Sequence, residues 1–268
     1  MSERSTPGGN TSAVLHHDWD SIQSIKVRFC LLEKQLPYQS RIVSLQRFEN
    51  LAPAYLALNP AGLVPTLVHG ADVITESSII NEYADEVGAG LSLMPASPSA
   101  RARVRMWARY EDEVMHPAVR PPTFHLMIKQ RYTAMTQEEL AALVASHPLP
   151  NRAQAYRTMA TGPIDYDAII NSVAVFKEIL QRMERALERN TWLACDTFSL
   201  ADVAAAAFAD RVASFGMAFL WTPLPRVQDW VQRLQSRPAW RAAVPPVGKR
   251  LPRPDVNALQ EIRRRLAL

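Results

Sequence analysis

Residues 59–81 hold the groups most able to do chemistry: the backbone at Val64 and Pro65, followed by Glu76 and Ser77. Two short apolar segments flank a turn at residues 69–72, and an acid and a hydroxyl then open a helix. Pro65 falls inside the first segment, where it has no N–H to give to a sheet ladder. The segment is therefore a sheet edge or the site of a cis peptide bond. A helix start presents free N–H groups and the positive end of its dipole to an anion. A backbone edge beside an anion pocket with its own carboxylate suits a small peptide ligand carrying an amine and a carboxylate at one end.

The elements that must position these groups are readable from periodicity. Val14 and Leu15 mark a first strand, and Ile25, Phe29 and Leu32 share one face of a helix over 24–34. Ile42, Val43 and Leu45 give a second strand, and 47–58 reads as irregular or weakly helical. The hairpin follows, then a helix over 77–87 with Ile79, Ile80, Tyr83 and Val87 inward. This order predicts an α/β domain with a right-handed crossover first and a hairpin last.

Residues 88–98 read as a linker, and the rest is helical. Ser97 and Pro98 start a long helix to about residue 116, interrupted by Pro117, Pro121 and Pro122. Thr136 to Glu139 is a capping box, 147–163 an extended proline-containing loop, and 164–189 a second long helix. Ser199 and Asp202 box the start of an alanine-rich helix that is apolar nearly all round, the centre of a helical domain. Helices near 226–236, 238–243 and 255–266 complete the chain. The expected domains are 13–88 and 98–246, with tails at 1–12 and 247–268.

With 268 residues and 48% hydrophobic content, the chain can bury a sizeable core. Cys30 and Cys195 make no disulfide framework, which fits a reducing compartment. Residues 1–12 lack the apolar core of a signal peptide, and no run is long enough to span a membrane, so a soluble, cytoplasmic protein is expected. The net charge of +4 comes with no basic face interleaved with aromatics, so no nucleic-acid partner is expected. His16, His17 and Asp18 are the nearest approach to a metal set, but no third or fourth ligand is in view, so no metal is expected.

In this order and spacing, the segment 59–67, the pair Glu76–Ser77 with Ile79 and Tyr83, and the box from Ser199 to Asp202 resemble the cytosolic glutathione transferase family over residues 14–245. The resemblance implies a thioredoxin-like N-terminal domain, an all-helical C-terminal domain, a homodimer and glutathione as cosubstrate. It further implies a cis peptide before Pro65, pairing of the Val64 backbone with the cysteinyl part of glutathione, and Glu76 and Ser77 at its γ-glutamyl end. Residues 127–211 are similar to bacterial lignin-type β-aryl etherases, on the acidic short helix, the His-Pro-Leu-Pro loop, the Gly-Pro before the long helix and Trp192 ahead of the capping box.

An unperturbed thiol has a pKa of about 8.5, and a helix N-terminus with one hydroxyl donor lowers it. In the resemblance that hydroxyl sits just before the first helix, where Ser21 is the first choice as thiolate donor. Ser24 is the competitor, and its structural role would be the N-cap of that helix. Neither position is a cysteine, which argues against a mixed-disulfide mechanism; Cys30 reads as core and Cys195 as a loop residue. Many relatives carry a lysine, arginine or glutamine at Leu63 to bind the glycine carboxylate. Here Arg47 or Arg41 would have to replace it, or binding is weaker. Trp107, Tyr110, Met115 and His116 are candidates for the wall of the second site, which would take a small hydrophobic, aromatic electrophile, or else they are core. The leading reading is a glutathione transferase. Its alternatives are glutathione-dependent β-aryl ether cleavage or dehalogenation, and a non-catalytic binding protein of the same fold.

Overall fold

The computed structural model describes residues 13–267; the polar segment 1–12 lies outside them. The first unit is built around a four-stranded sheet of order β2-β1-β3-β4. Strand β1 (Ala13–His17) pairs in parallel with β2 (Tyr38–Ile42), and antiparallel with β3 (Thr66–His69), which forms a hairpin with β4 (Asp72–Ile74). Helix α1 (Ile22–Glu33) makes the crossover, a four-residue helix α2 (Pro53–Leu56) precedes β3, and α3 (Ser77–Val87) follows β4.

The second strand lies earlier than the apolar run at Ile42, Val43 and Leu45 suggests. It is the edge of the sheet, so register with β1 rather than hydrophobicity sets its bounds, and residues 39–42 are exposed. In α3, Ile80 and Ala84 are buried, whereas Ile79 (57% exposed) and Val87 (44%) face outward instead of inward.

The helical unit comprises α4 (Pro98–Tyr110), α5 (His116–Thr123), α6 (Lys129–Thr133), α7 (Gln137–Ser146), α8 (Pro150–Thr161), α9 (Tyr166–Leu187), α10 (Leu200–Ser214), α11 (Pro225–Ser236), α12 (Pro238–Ala243) and α13 (Val256–Arg265). Two segments depart from expectation. Residues 147–163 hold helix α8, because Pro150 occupies its first turn, where a missing N–H costs nothing. Pro121 and Pro122 lie inside α5, which joins its neighbours through single π turns at Glu111–Met115 and Phe124–Ile128. Those wide turns absorb the hydrogen bonds that proline cannot make.

Helix α10 forms the centre of this unit, with Ala201, Ala206, Ala207 and Phe208 fully buried and α1 and α4 packed on it. Its start is fixed by Asp202. That buried carboxylate accepts from Leu193 N (3.0 Å), Ser199 N and Oγ (both 3.1 Å) and Trp230 Nε1 (2.9 Å). Burial pushes its pKa up to about 6, against the pull of these donors. Asp202→Ala would strand the buried donors and lower the unfolding free energy by about 3 kcal/mol. Urea denaturation followed by tryptophan fluorescence measures it, and a loss below about 1 kcal/mol contradicts this account.

Candidate functional site

Between the sheet unit and the helices lies a cleft of about 400 Å³, within the size range of small-molecule sites. Its floor is the 59–65 turn. Asn59 Oδ1 accepts from Ala61 N (3.1 Å) and its Nδ2 donates to Leu63 O (2.9 Å). Tyr55 Oη donates to the same carbonyl (2.6 Å), and Asn50 Nδ2 to Gly62 O (2.8 Å). Gly62 has φ +62, and a Cβ there would meet Asn50 O at 3.1 Å, so the turn needs glycine. It delivers Val64 and a cis Val64–Pro65 peptide to the cleft. The β3 ladder begins only at Thr66, and the Val64 backbone groups have no partner among the described residues.

Glu76 caps α3 with φ +61 and ψ 113, a strained backbone for a side chain other than glycine. Both Glu76 and Ser77 line the cleft at the N-terminus of α3, and Ser77 Oγ donates to Gln23 Oε1 (3.0 Å). Gln23 Nε2 in turn donates to Glu111 Oε1 (3.2 Å), and Glu111 is ion-paired with buried Lys26. Burial pushes Glu111 up to about 7 despite that lysine. Asp112, next in the chain, also reaches the cleft; it accepts from Lys26 Nζ (3.0 Å) and Ser78 Oγ (2.7 Å).

The two serines are placed differently. Ser21 is the N-cap of α1, lines the cleft and accepts from Ser24 N at 3.4 Å. Ser24 is fully buried, has no hydrogen-bond partner for its Oγ and does not line the cleft. The cap thus falls on Ser21 rather than Ser24, and the helix begins two residues before the apolar periodicity shows it. Asp20, beside Ser21, is held by Arg211 (3.1 Å) and by Leu251 N (2.6 Å) from the segment between α12 and α13.

Of the proposed outer wall, only His116 lines the cleft. Trp107 is buried core, Met115 is fully buried, and Tyr110 lies beneath Arg182, 3.9 Å from its ring centroid. The wall comes instead from Arg120, Thr123, Phe124, Ile128, Tyr132 and Tyr156. Arg47 pairs with Glu49 in solvent (2.7 Å), and neither it nor Arg41 reaches the cleft, whereas Gln46 and Arg131 do. Cys30 is buried, with a thiol pushed far up by desolvation, and Cys195 lies in a loop. His17 is buried between Ser40 Oγ (2.6 Å) and Arg28 (3.0 Å).

The family model described as "Glutathione S-transferase, N-terminal domain" matches residues 20–87, and "Glutathione S-transferase, C-terminal domain" matches residues 165–238. Protein LigF of a Sphingobium species is 30% identical over 225 residues, covering 81% of this chain and 86% of LigF. The chain belongs to the glutathione transferase family. It is a glutathione-dependent enzyme with a thioredoxin-like domain followed by a helical one. Glutathione S-transferase F9 of Arabidopsis thaliana is 29% identical over 217 residues, covering 80% of this chain and 88% of its own. The crystal structure of the β-etherase LigF superposes with a TM-score of 0.80 at 27% identity, over 87% of this chain and 98% of that one.

In the enzyme, His116 is kept neutral. Burial, then Arg152, Lys26 and Arg120, push its pKa down to about 3 from an ordinary 6.5. The unfolded chain binds a proton at 6.5 that the folded chain refuses, so the associated stability is whole above 6.5 and drains away as pH falls toward about 3. His116→Asn would therefore flatten the loss of stability between about pH 6.5 and about pH 4. Urea midpoints across that range check this, and equal slopes in both proteins contradict it.

Proposed function

We propose that the cleft binds glutathione along Val64 and Pro65, with its γ-glutamyl end at Glu76, Ser77 and Asp112 and its sulfur beside Ser21. What carries this reading is the unpaired Val64 backbone edge lying across one cleft from the α3 N-terminus and the α1 cap. The tripeptide's amine meets the carboxylates and its α-carboxylate meets the free N–H groups of α3. With leucine at position 63, the glycine end turns toward Gln46 and Arg131, whose Nε is buried without a partner.

The thiol gives its proton to solvent. The Ser21 hydroxyl then donates to the thiolate, and the α1 dipole end adds positive potential. The thiolate attacks an electrophilic carbon of an aromatic second substrate, forming a C–S bond as the leaving group departs with its electron pair. Positioning and electrostatics carry the rate, with no covalent enzyme intermediate. A second reading is favoured by the likeness to LigF, whose structure is described as a β-etherase: here the leaving group is an aryl-oxide. A panel of chloronitroarenes and aryl ether ketones separates the two.

A homodimer would use the α3–α4 face, where Ile79 (57%) and Met106 (60%) stay exposed beside the Glu82–Arg105 pair. Two free cysteines fit the reducing cytoplasm.

Ser21→Ala should raise the thiol pKa of bound glutathione by about one unit or more and lower kcat/KM by roughly a hundredfold. Ultraviolet thiolate absorbance against pH reads the first quantity. An unchanged value, with Ser24→Ala shifting it instead, moves the role to Ser24.

A further inference from the structure

The far end of the cleft is electrostatically unfinished. Arg120, on α5, and Arg152, on α8, both line it, and among the described residues neither has a carboxylate or carbonyl partner. Arg120 rests its guanidinium 5.6 Å from the Phe124 ring centroid and leaves Nε buried and unbonded. The other arginines of the cleft and its margin are neutralised or bonded. Arg211 holds Asp20, Arg250 holds Asp210, Arg131 donates to Leu45 O (2.7 Å) and Arg28 to Ala243 O (2.9 Å).

Nothing nearby supplies the missing charge. The acids of the cleft are spent or distant: Asp20 on Arg211, Asp112 on Lys26, Asp18 on the Asp20 and Leu45 amides, and Glu76 at the opposite helix start. Burial keeps the Tyr132 phenol protonated, and His116 is neutral. Arg120 and Arg152 repel one another, and desolvation together with that repulsion holds Arg120 down to about 10. Two half-buried like charges without a partner are costly in the free protein, and an arriving oxyanion removes the cost. Around them Tyr132 and Tyr156 stack at 5.0 Å, with His147 edge-on to Tyr156 at 5.2 Å.

We infer that Arg120 and Arg152 form an oxyanion-binding subsite for the second substrate, which is an aromatic electrophile bearing a carboxylate. This deepens the glutathione-transferase reading and rests on it. The ring lies between the tyrosines and Phe124, the carboxylate takes guanidinium donors, and the electrophilic carbon is turned back toward Ser21.

The test is calorimetric and needs no turnover. Glutathione, the conjugate of glutathione with a chloronitrobenzoate, and the methyl ester of that conjugate at the benzoate carboxyl are titrated into the enzyme. The acid conjugate should bind about tenfold more tightly than the ester, the worth of one charge-assisted contact. Arg120→Gln and Arg152→Gln should each erase that preference while leaving the affinity for glutathione alone, which also certifies folding. Arg120→Lys should restore part of it. Equal binding of acid and ester by the wild type overturns the subsite. Variants that weaken glutathione itself also overturn it, since the arginines would then serve the tripeptide's own carboxylate. Absence of glutathione binding by the wild type overturns the parent reading instead.

Discussion

The site depends on the buried ion pair between Lys26 and Glu111, both wholly excluded from solvent. Lys26 belongs to α1 of the sheet unit, and Glu111 opens the π turn at the end of α4. Each charge is affordable only because the other is present, and breaking such a pair costs about 3–5 kcal/mol. The pair therefore fixes the two units in one relative position. From it the bonding runs outward through Gln23 to Ser77 and through Asp112 to Ser78, so the start of α3 at the cleft is braced by the opposite unit. The wide turn at Glu111–Met115 has a related consequence. It brings Glu111 and Asp112 to the interface and carries His116 into the cleft.

Other contacts close the same seam. Arg28 spans it to Ala243 O, Arg237 grips Glu33 at 2.6 Å, and Phe29 packs edge-on against Trp240 at 5.1 Å. These bonds run from α1 to residues more than two hundred positions later. The first helix is thus a shared spine: one end carries the serine, its flank carries the lysine, and its far side carries the helical unit.

How much of this was legible follows from the range over which each signal acts. The hairpin turn at residues 69–72, the α3 start and the capping boxes at Thr136 and Ser199 are local, because neighbouring residues satisfy one another's backbone groups. Those stretches could be read directly. The outer wall of the cleft could not. Periodicity says which residues of α4 share a face, but not which face meets a cavity, and a π turn rotates the register beyond it. Trp107 therefore went to the core, with Tyr110 packed against it beneath Arg182, while His116 reached the cleft. Helix α8 was hidden by reading proline as a breaker when it stood at a first turn. Arg120 and Arg152 come from separate helices, and in sequence each resembles any solvated arginine. Only the absence of an acid opposite them, a property of the assembled fold, sets them apart.

The contact between Leu251 N and the Asp20 carboxylate also bears on the order in which the molecule is made. Leu251 lies 231 residues after Asp20 in the chain, so the clamp is made long after the residue it holds. At translation rates of about 5–20 residues per second, the serine loop waits on the order of ten seconds or more for the segment that completes its wall. The sheet unit can collapse during that interval, but the loop beside Ser21 has no lid and Arg211 has yet to arrive. The side of the cleft that holds Ser21 is thus completed only when both units are in place.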